Sequence, residues 1–235
     1  MKHDVVYILK SDVPPDELRY SLRTVEKNFP YREVWFFCGC PGGIVPDHYV
    51  PMKQKGTNKW ELATSSIREI CNTADVSEDF WLFNDDFFVL RKVKELPYMY
   101  RGLLSDRVAG LRSKYRVSGY ANMMRDTEVL LERNGLGTLD YALHIPMLIN
   151  KRKAIEVLDQ FPRCPMFRSL YGNYWEVGGI QAKDVKVYDL ERVPDRAQTF
   201  ASTTEETFKK GNIGKHIRQM FNEPSKWENN NAESL

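Results

Sequence analysis

Within about its first 40 residues the chain carries a strand, a helix and a second strand in succession, and that order restricts the folds open to it. Val5-Val6-Tyr7-Ile8-Leu9 is a β-rich apolar run, closed by Ser11-Asp12 and Pro14-Pro15. Residues 16–28 follow with Leu18, Leu22 and Val25 at helical spacing and Pro15 just ahead of them. Val34-Trp35-Phe36-Phe37 is a second apolar run, stopped by Gly39, Pro41, Gly42 and Gly43. A strand–helix–strand unit of this length predicts a βαβ crossover. The expected fold class is therefore α/β, a mixed and mainly parallel sheet flanked by helices.

The later chain extends this pattern. Residues 60–72 read as a helix through Leu62, Ile67 and Ile70, and residues 80–83 as the next strand. A short strand is expected within 107–116, a helix over 127–134 ended by Gly135, and an extended piece over 142–147 because of Pro146. A helix over 151–160 stops at Phe161-Pro162, residues 185–190 read as a late strand, and a polar, lysine-bearing segment follows Thr204. With 235 residues, 42% hydrophobic, one domain over 1–227 is expected, followed by a disordered tail over 228–235.

Composition narrows the functional classes. The 34 basic and 32 acidic side chains nearly balance, so net charge does not indicate nucleic acid, although a local groove could serve one. Lys209, Lys210, Lys215, His216 and Arg218 cluster late in the chain and read as a solvated helix face. Cys38, Cys40, Cys71 and Cys164 lack paired spacing, which argues against zinc. No apolar run approaches a membrane span, and the N-terminus enters a strand directly. A cytoplasmic protein with reduced thiols is expected.

Phe80-Trp81-Leu82-Phe83-Asn84-Asp85-Asp86-Phe87-Phe88 sets two adjacent carboxylates between apolar runs. Carboxylates are costly in apolar surroundings unless paired or bound to a cation. Placed at the carboxyl end of a core strand, they could hold a divalent ion that grips a diphosphate, which points to a nucleotide-sugar-using transferase. The other reading is a polar turn between two strands.

Several segments in order resemble the Stealth family of sugar-phosphate transferases. Glu17-Leu18-Arg19-Tyr20-Ser21-Leu22-Arg23-Thr24 is similar to the "LRYSLRS" helix of its second block, which ends in a strand and Asn-Asp-Asp, here residues 80–88. The third block's His-x-Pro, helix and Phe-Pro are matched by His144-Ile145-Pro146 and Phe161-Pro162, with Arg168 beyond. Pro224-Ser225-Lys226-Trp227-Glu228 resembles the Pro-Ser-x-x-Glu of the fourth. The first block, usually "VYTWVDGSD", is here Val6-Tyr7-Ile8-Leu9-Lys10-Ser11-Asp12, and Ser202-Thr203-Thr204 stands where an Asn-Asp pair is usual.

The resemblance implies a nucleotide-diphospho-sugar transferase-like (GT-A-related) fold. Its partners would be a nucleotide-diphosphate sugar donor and a glycan or other hydroxyl acceptor. Asp85 and Asp86 would hold Mg or Mn, with Asp86 also catalytic and Asn84 beside the substrate. His144 would be general base, against a histidine hydrogen-bonded inside the fold; Arg168 would grip phosphate, against a surface ion pair. Arg19 and Arg23, four apart on one helix face, could meet a phosphate or carboxylate or tie that helix to the sheet edge. Asp12 could contact a base or ribose, or cap its turn. Tyr171-Gly172-Asn173-Tyr174-Trp175 suits stacking on a sugar or ordinary core. The expected reaction is transfer of a sugar-1-phosphate. The alternatives are transfer of the sugar itself, to a glycan or to DNA, and a non-catalytic glycan- or nucleic-acid-binding protein.

Overall fold

The computed structural model describes residues 2–10, 14–56, 59–114, 119–163 and 166–229. The chain opens with β1 (His3–Leu9), α1 (Pro15–Asn28), β2 (Tyr31–Cys38) and β3 (His48–Val50). Next come α2 (Lys59–Asn72), β4 (Asp79–Phe83), β5 (Phe87–Val89), β6 (Met99–Tyr100), α3 (Leu104–Lys114) and α4 (Gly119–Arg133). Then follow β7 (Met147–Asn150), α5 (Lys151–Gln160), α6 (Phe167–Tyr174), β8 (Ile180–Gln181) and β9 (Lys186–Val187). The described chain closes with β10 (Phe200–Thr203), α7 (Glu205–Lys210) and α8 (Asn212–Met220).

The central sheet has five strands in the order β3-β2-β1-β4-β7. The first four run parallel and β7 runs antiparallel to β4, which gives the mixed, mainly parallel sheet expected from the sequence. Alternate residues of a strand point to opposite faces. Val6, Phe80 and Leu82 therefore pack against Ile67, Met124, Val157 and Leu170 on one face. Val5, Tyr7, Trp81 and Phe83 meet Leu18, Leu22 and Val25 of α1 on the other. Burial on both faces explains why the strands read as unbroken apolar runs. Each such buried side chain contributes about 1.5–3 kcal/mol.

A smaller sheet, β5-β10-β9, lies beyond the turn after β4 and is packed by α7 and α8 through Phe88, Ala201, Phe208, Ile213 and Ile217. The rings of Phe88 and Phe208 stack with centroids 5.5 Å apart.

Several sequence expectations are corrected. Residues expected to hold a strand within 107–116 lie in α3, up to Lys114, because Leu104, Val108 and Leu111 recur at helical spacing and pack inward. α4 begins at Gly119 rather than 127, since Ala121, Met123 and Met124 already belong to its buried face. The polar segment after Thr204 forms α7 and α8, and α6 had no counterpart in the sequence reading. Residues 142–147 bend at His144 and Ile145 before β7 begins at Met147. Glu228, placed in the tail by composition, pairs with Ile44 and takes both oxygens to Arg23.

Candidate active site

From β1 the chain crosses to β2 on one side, while β4 lies on the other, so the strand order reverses between β1 and β4. At such a reversal a crevice opens at the carboxyl ends of the strands. Here the crevice is a cleft of about 1070 Å³, floored by Ile8 and Leu82 and walled by α2, α3, α4 and the 142–144 segment. Lys10, just past β1, and Asn84-Asp85, just past β4, stand at its edge, with Glu17 of α1 beside them.

Asn84-Asp85-Asp86-Phe87 is a tight turn, closed by the Phe87 N–H donating to the Asn84 carbonyl at 3.2 Å. The turn sends its two carboxylates to different partners. Asp85 lines the cleft, and among the described residues no side chain hydrogen-bonds to it; burial, and next the charge of Asp86, raise its pKa, while Lys186 and Lys10 oppose the shift. Asp86 accepts from the Ser202 hydroxyl at 2.9 Å and from the Lys186 ammonium, which also donates to the Thr203 carbonyl. Thr203 donates through Oγ1 to Glu17 at 2.6 Å, and Thr204 caps α7. The Ser202-Thr203-Thr204 stretch is thus the polar frame that holds two of the acids.

Glu17 has the most displaced carboxyl of the group. Burial pushes it up to about 7, aided by the charges of Asp86 and Asp85 and opposed by Thr203 and Lys186.

The far wall carries a second constellation. Nδ1 of His144 lies 2.9 Å and 3.1 Å from the two oxygens of Asp184, and the His144 backbone N–H donates to the same carboxylate at 3.0 Å. Arg101 donates to Asp184 and, at 2.9 Å, to the Ala142 carbonyl. Burial works to raise the Asp184 pKa, but His144 and Arg101 outweigh it and hold it at about 2. An ionised carboxylate can only accept, so Nδ1 carries a proton, and in the neutral ring the lone pair falls on Nε2. His144 and Arg101 both line the cleft.

Arg168 lines the cleft beside them and donates to the carbonyls of Leu143, Ile145 and Leu82 at 3.0, 2.6 and 3.3 Å. Burial draws its pKa down to about 10, against Asp86 and Asp184. It ties the His144 segment to the end of β4.

Asn84, Asp85, His144 and Arg168 thus share one cleft. Asp86 adjoins it as the residue after Asp85 in the turn, with its carboxylate committed to Lys186 and Ser202. Arg19 and Arg23 face a separate cavity, and Arg23 makes a two-pronged ion pair with Glu228, at 2.7 and 2.6 Å, that ties α1 to the chain's last described segment. Asp12 lies outside the described residues. Tyr171 is buried beneath the sheet, its hydroxyl accepting from the Asn150 N–H at 3.0 Å.

The donor set fits a hard divalent ion. Among the described residues no group of three His, Cys, Asp or Glu side chains is arranged to hold a metal by itself. Mg²⁺ in phosphate chemistry, however, takes only one or two protein carboxylates and fills its shell with phosphate oxygens and water. Asp85, half-buried at the cleft edge and hydrogen-bonded by no side chain among the described residues, offers one such carboxylate.

The solved structures this chain resembles include glycosyltransferases. An active-site mutant of LgtC aligns with a TM-score of 0.49 at 10% identity, covering 92% of this chain and 94% of that one. The galactosyltransferase LgtC, in complex with donor and acceptor sugar analogs, aligns at 0.41 and 12% over 76% and 72%. The apo form of the glycosyltransferase GlyE of Streptococcus pneumoniae TIGR4 aligns at 0.44 and 10% over 94% and 60%. No protein-family model and no curated protein matches the chain. Among the described residues no helix is long and apolar enough to cross a membrane.

Lys10, Glu17, Arg101, Asp184 and Lys186 join the site without having been singled out for it by sequence reasoning. A signal existed for Glu17, which opens a polar stripe at 17, 21, 24 and 28 on the same helix as Leu18, Leu22 and Val25. Asp184 had none, being 40 positions from its histidine.

Proposed function

We propose that the cleft binds a nucleotide-diphosphate sugar and transfers its sugar-1-phosphate to an acceptor hydroxyl. The observation that carries the reading is one crevice, at the strand-order reversal, with Asp85 at its edge and the Nε2 side of a fixed histidine on the far wall. The scaffold is read as nucleotide-diphospho-sugar transferase-like, with the diphosphate at Lys10 and Asn84-Asp85 and the acceptor toward His144.

His144 takes the acceptor proton at Nε2 while the acceptor oxygen forms its bond to the sugar-bearing phosphorus. The bond from that phosphorus to the bridging oxygen breaks, and a nucleoside monophosphate departs. Asp184 keeps Nδ1 protonated and stabilises the imidazolium that results. Arg168 and Arg101 hold the His144 segment in place. Asp85 would hold Mg or Mn, with Asp86 as its neighbour, and the ion would offset negative charge on the leaving nucleotide.

One observation favours a second reading, transfer of the sugar itself. Arg168 already spends donors on three carbonyls, which leaves it less free to grip a phosphate under attack. The released nucleotide separates the two. Incubation with donor and acceptor is expected to release a nucleoside monophosphate, and Asp85→Asn is expected to lose turnover. Release of a nucleoside diphosphate would assign the second mechanism, and full turnover in Asp85→Asn would remove Asp85 from the site.

A further inference from the structure

The stripe Asp16, Arg19, Tyr20, Arg23 runs at i, i+3, i+4, i+7 along α1 and looks away from the cleft. It lines a cavity of about 450 Å³ closed by Phe208, Lys209 and Arg218 of α7 and α8. Two of its cations are already matched: Arg23 by Glu228 and Lys209 by Glu205. Arg218 has no carboxylate partner among the described residues; it donates to the Phe208 carbonyl at 2.5 Å and lies over that ring. Arg19 has no hydrogen bond or ion pair among the described residues, and its Nε is buried. Against the unpartnered Arg19 and the charge of Arg218, which two carbonyls and a ring engage but no carboxylate matches, the cavity offers one acid, Asp16. Arg218 also lines an adjoining groove of about 480 Å³ with Lys215, Gln219 and Asn222, so the positive surface continues along α8.

A guanidinium taken partly out of water with no acceptor is unfavourable unless something supplies one. Its planar fork of donors matches a phosphate in particular. We propose that this cavity is an anion site that takes a phosphate group, with Arg19 as the main ligand and Arg218 as the flanking charge. It is separate from the cleft and does not rest on the transferase reading. It also gives the late basic cluster a role beyond that of a solvated face.

The test is calorimetric titration of the full chain with inorganic phosphate at constant ionic strength, chloride serving as the control anion. Arg19→Gln and Arg218→Gln are compared with Arg152→Gln, which removes an exposed cation of α5 that lines neither the cavity nor the cleft. The expected result is at least a tenfold loss of phosphate affinity in Arg19→Gln, a smaller loss in Arg218→Gln, and none in Arg152→Gln. Without phosphate, Arg19→Gln should melt no lower than the parent, because Arg19 holds no partner among the described residues. Unchanged affinity in Arg19→Gln, an equal loss in Arg152→Gln, or a large drop in melting temperature for Arg19→Gln without phosphate would each overturn the proposal. A hexose 6-phosphate run in parallel distinguishes the source: tighter binding points to a phosphorylated sugar, equal binding to the free ion, and both support the site.

Discussion

His144 shows how much one carboxylate can decide. With Asp184 ionised at 2.9 Å from Nδ1, the imidazole has one tautomer open to it, and its basic nitrogen is the other one. Asp184→Asn keeps the shape but offers an amide that can donate as well as accept, so the tautomer is no longer fixed. Turnover is expected to fall on the order of 10²-fold with KM little changed, and the pH profile of kcat to shift. A variant with parent kcat and parent profile would limit Asp184 to a structural role. The sequence displayed His144 through its His-x-Pro setting, whereas the partner that defines its chemistry was invisible, because only the fold brings residues 144 and 184 together. The same holds for Asp86. Its neighbour relation to Asp85 was plain, yet its commitment to Lys186 and Ser202 depends on β9 and β10 reaching the turn.

At the scale of the element, α1 has three working faces. Leu18, Leu22 and Val25 enter the core; Asp16, Arg19, Tyr20 and Arg23 line the basic cavity. Between them runs a polar seam. Ser21 Oγ donates to the Phe87 carbonyl at 2.6 Å, Thr24 Oγ1 accepts from the Val89 N–H at 2.9 Å, and Asn28 donates to the Val89 carbonyl at 2.7 Å. These side chains satisfy the edge of β5 that β10 does not reach, in place of another strand. Thr24→Val would leave the Val89 N–H buried without an acceptor and is expected to cost about 1–3 kcal/mol. Urea unfolding measures it, and a change below about 0.5 kcal/mol would show that the seam does not depend on Thr24. The helix itself was legible from its apolar spacing. The seam was not, since Ser, Thr and Asn on a helix read as exposed until a strand edge is found beside them. α3 was lost to the opposite cause: Leu104, Val108 and Leu111 form a short face, too sparse among charged neighbours to outweigh a strand reading without their packing partners.

Over the whole molecule, the carboxyl ends of β1 and β4 gather acids that the fold only partly neutralises. Burial raises Glu17 from 4.5 to about 7, so the native chain holds this proton more firmly than the unfolded chain does. Its contribution therefore favours folding below about pH 4.5 and is lost as pH rises through 7. Glu17→Gln is expected to remove this decline, gaining of order 2 kcal/mol over the parent at pH 8 relative to pH 5 after allowance for solvent screening. Parallel stability profiles for the two proteins would contradict it. The parallel sheet and the strand-end position of Asn84-Asp85-Asp86 were readable in advance, because burial on both faces writes unbroken apolar runs into the strands. The cleft's far wall was not, because it is assembled from α3, α4, α6 and an irregular segment whose order in the chain says little about where they meet. The most direct test of the account is a thermal-shift titration of nucleotide sugars, with and without Mn²⁺, on the parent and on Asp85→Asn. The account predicts a Mn²⁺-dependent rise in melting temperature with one nucleotide family, abolished in Asp85→Asn. No rise with any nucleotide sugar, or a rise that Asp85→Asn leaves intact, would contradict it.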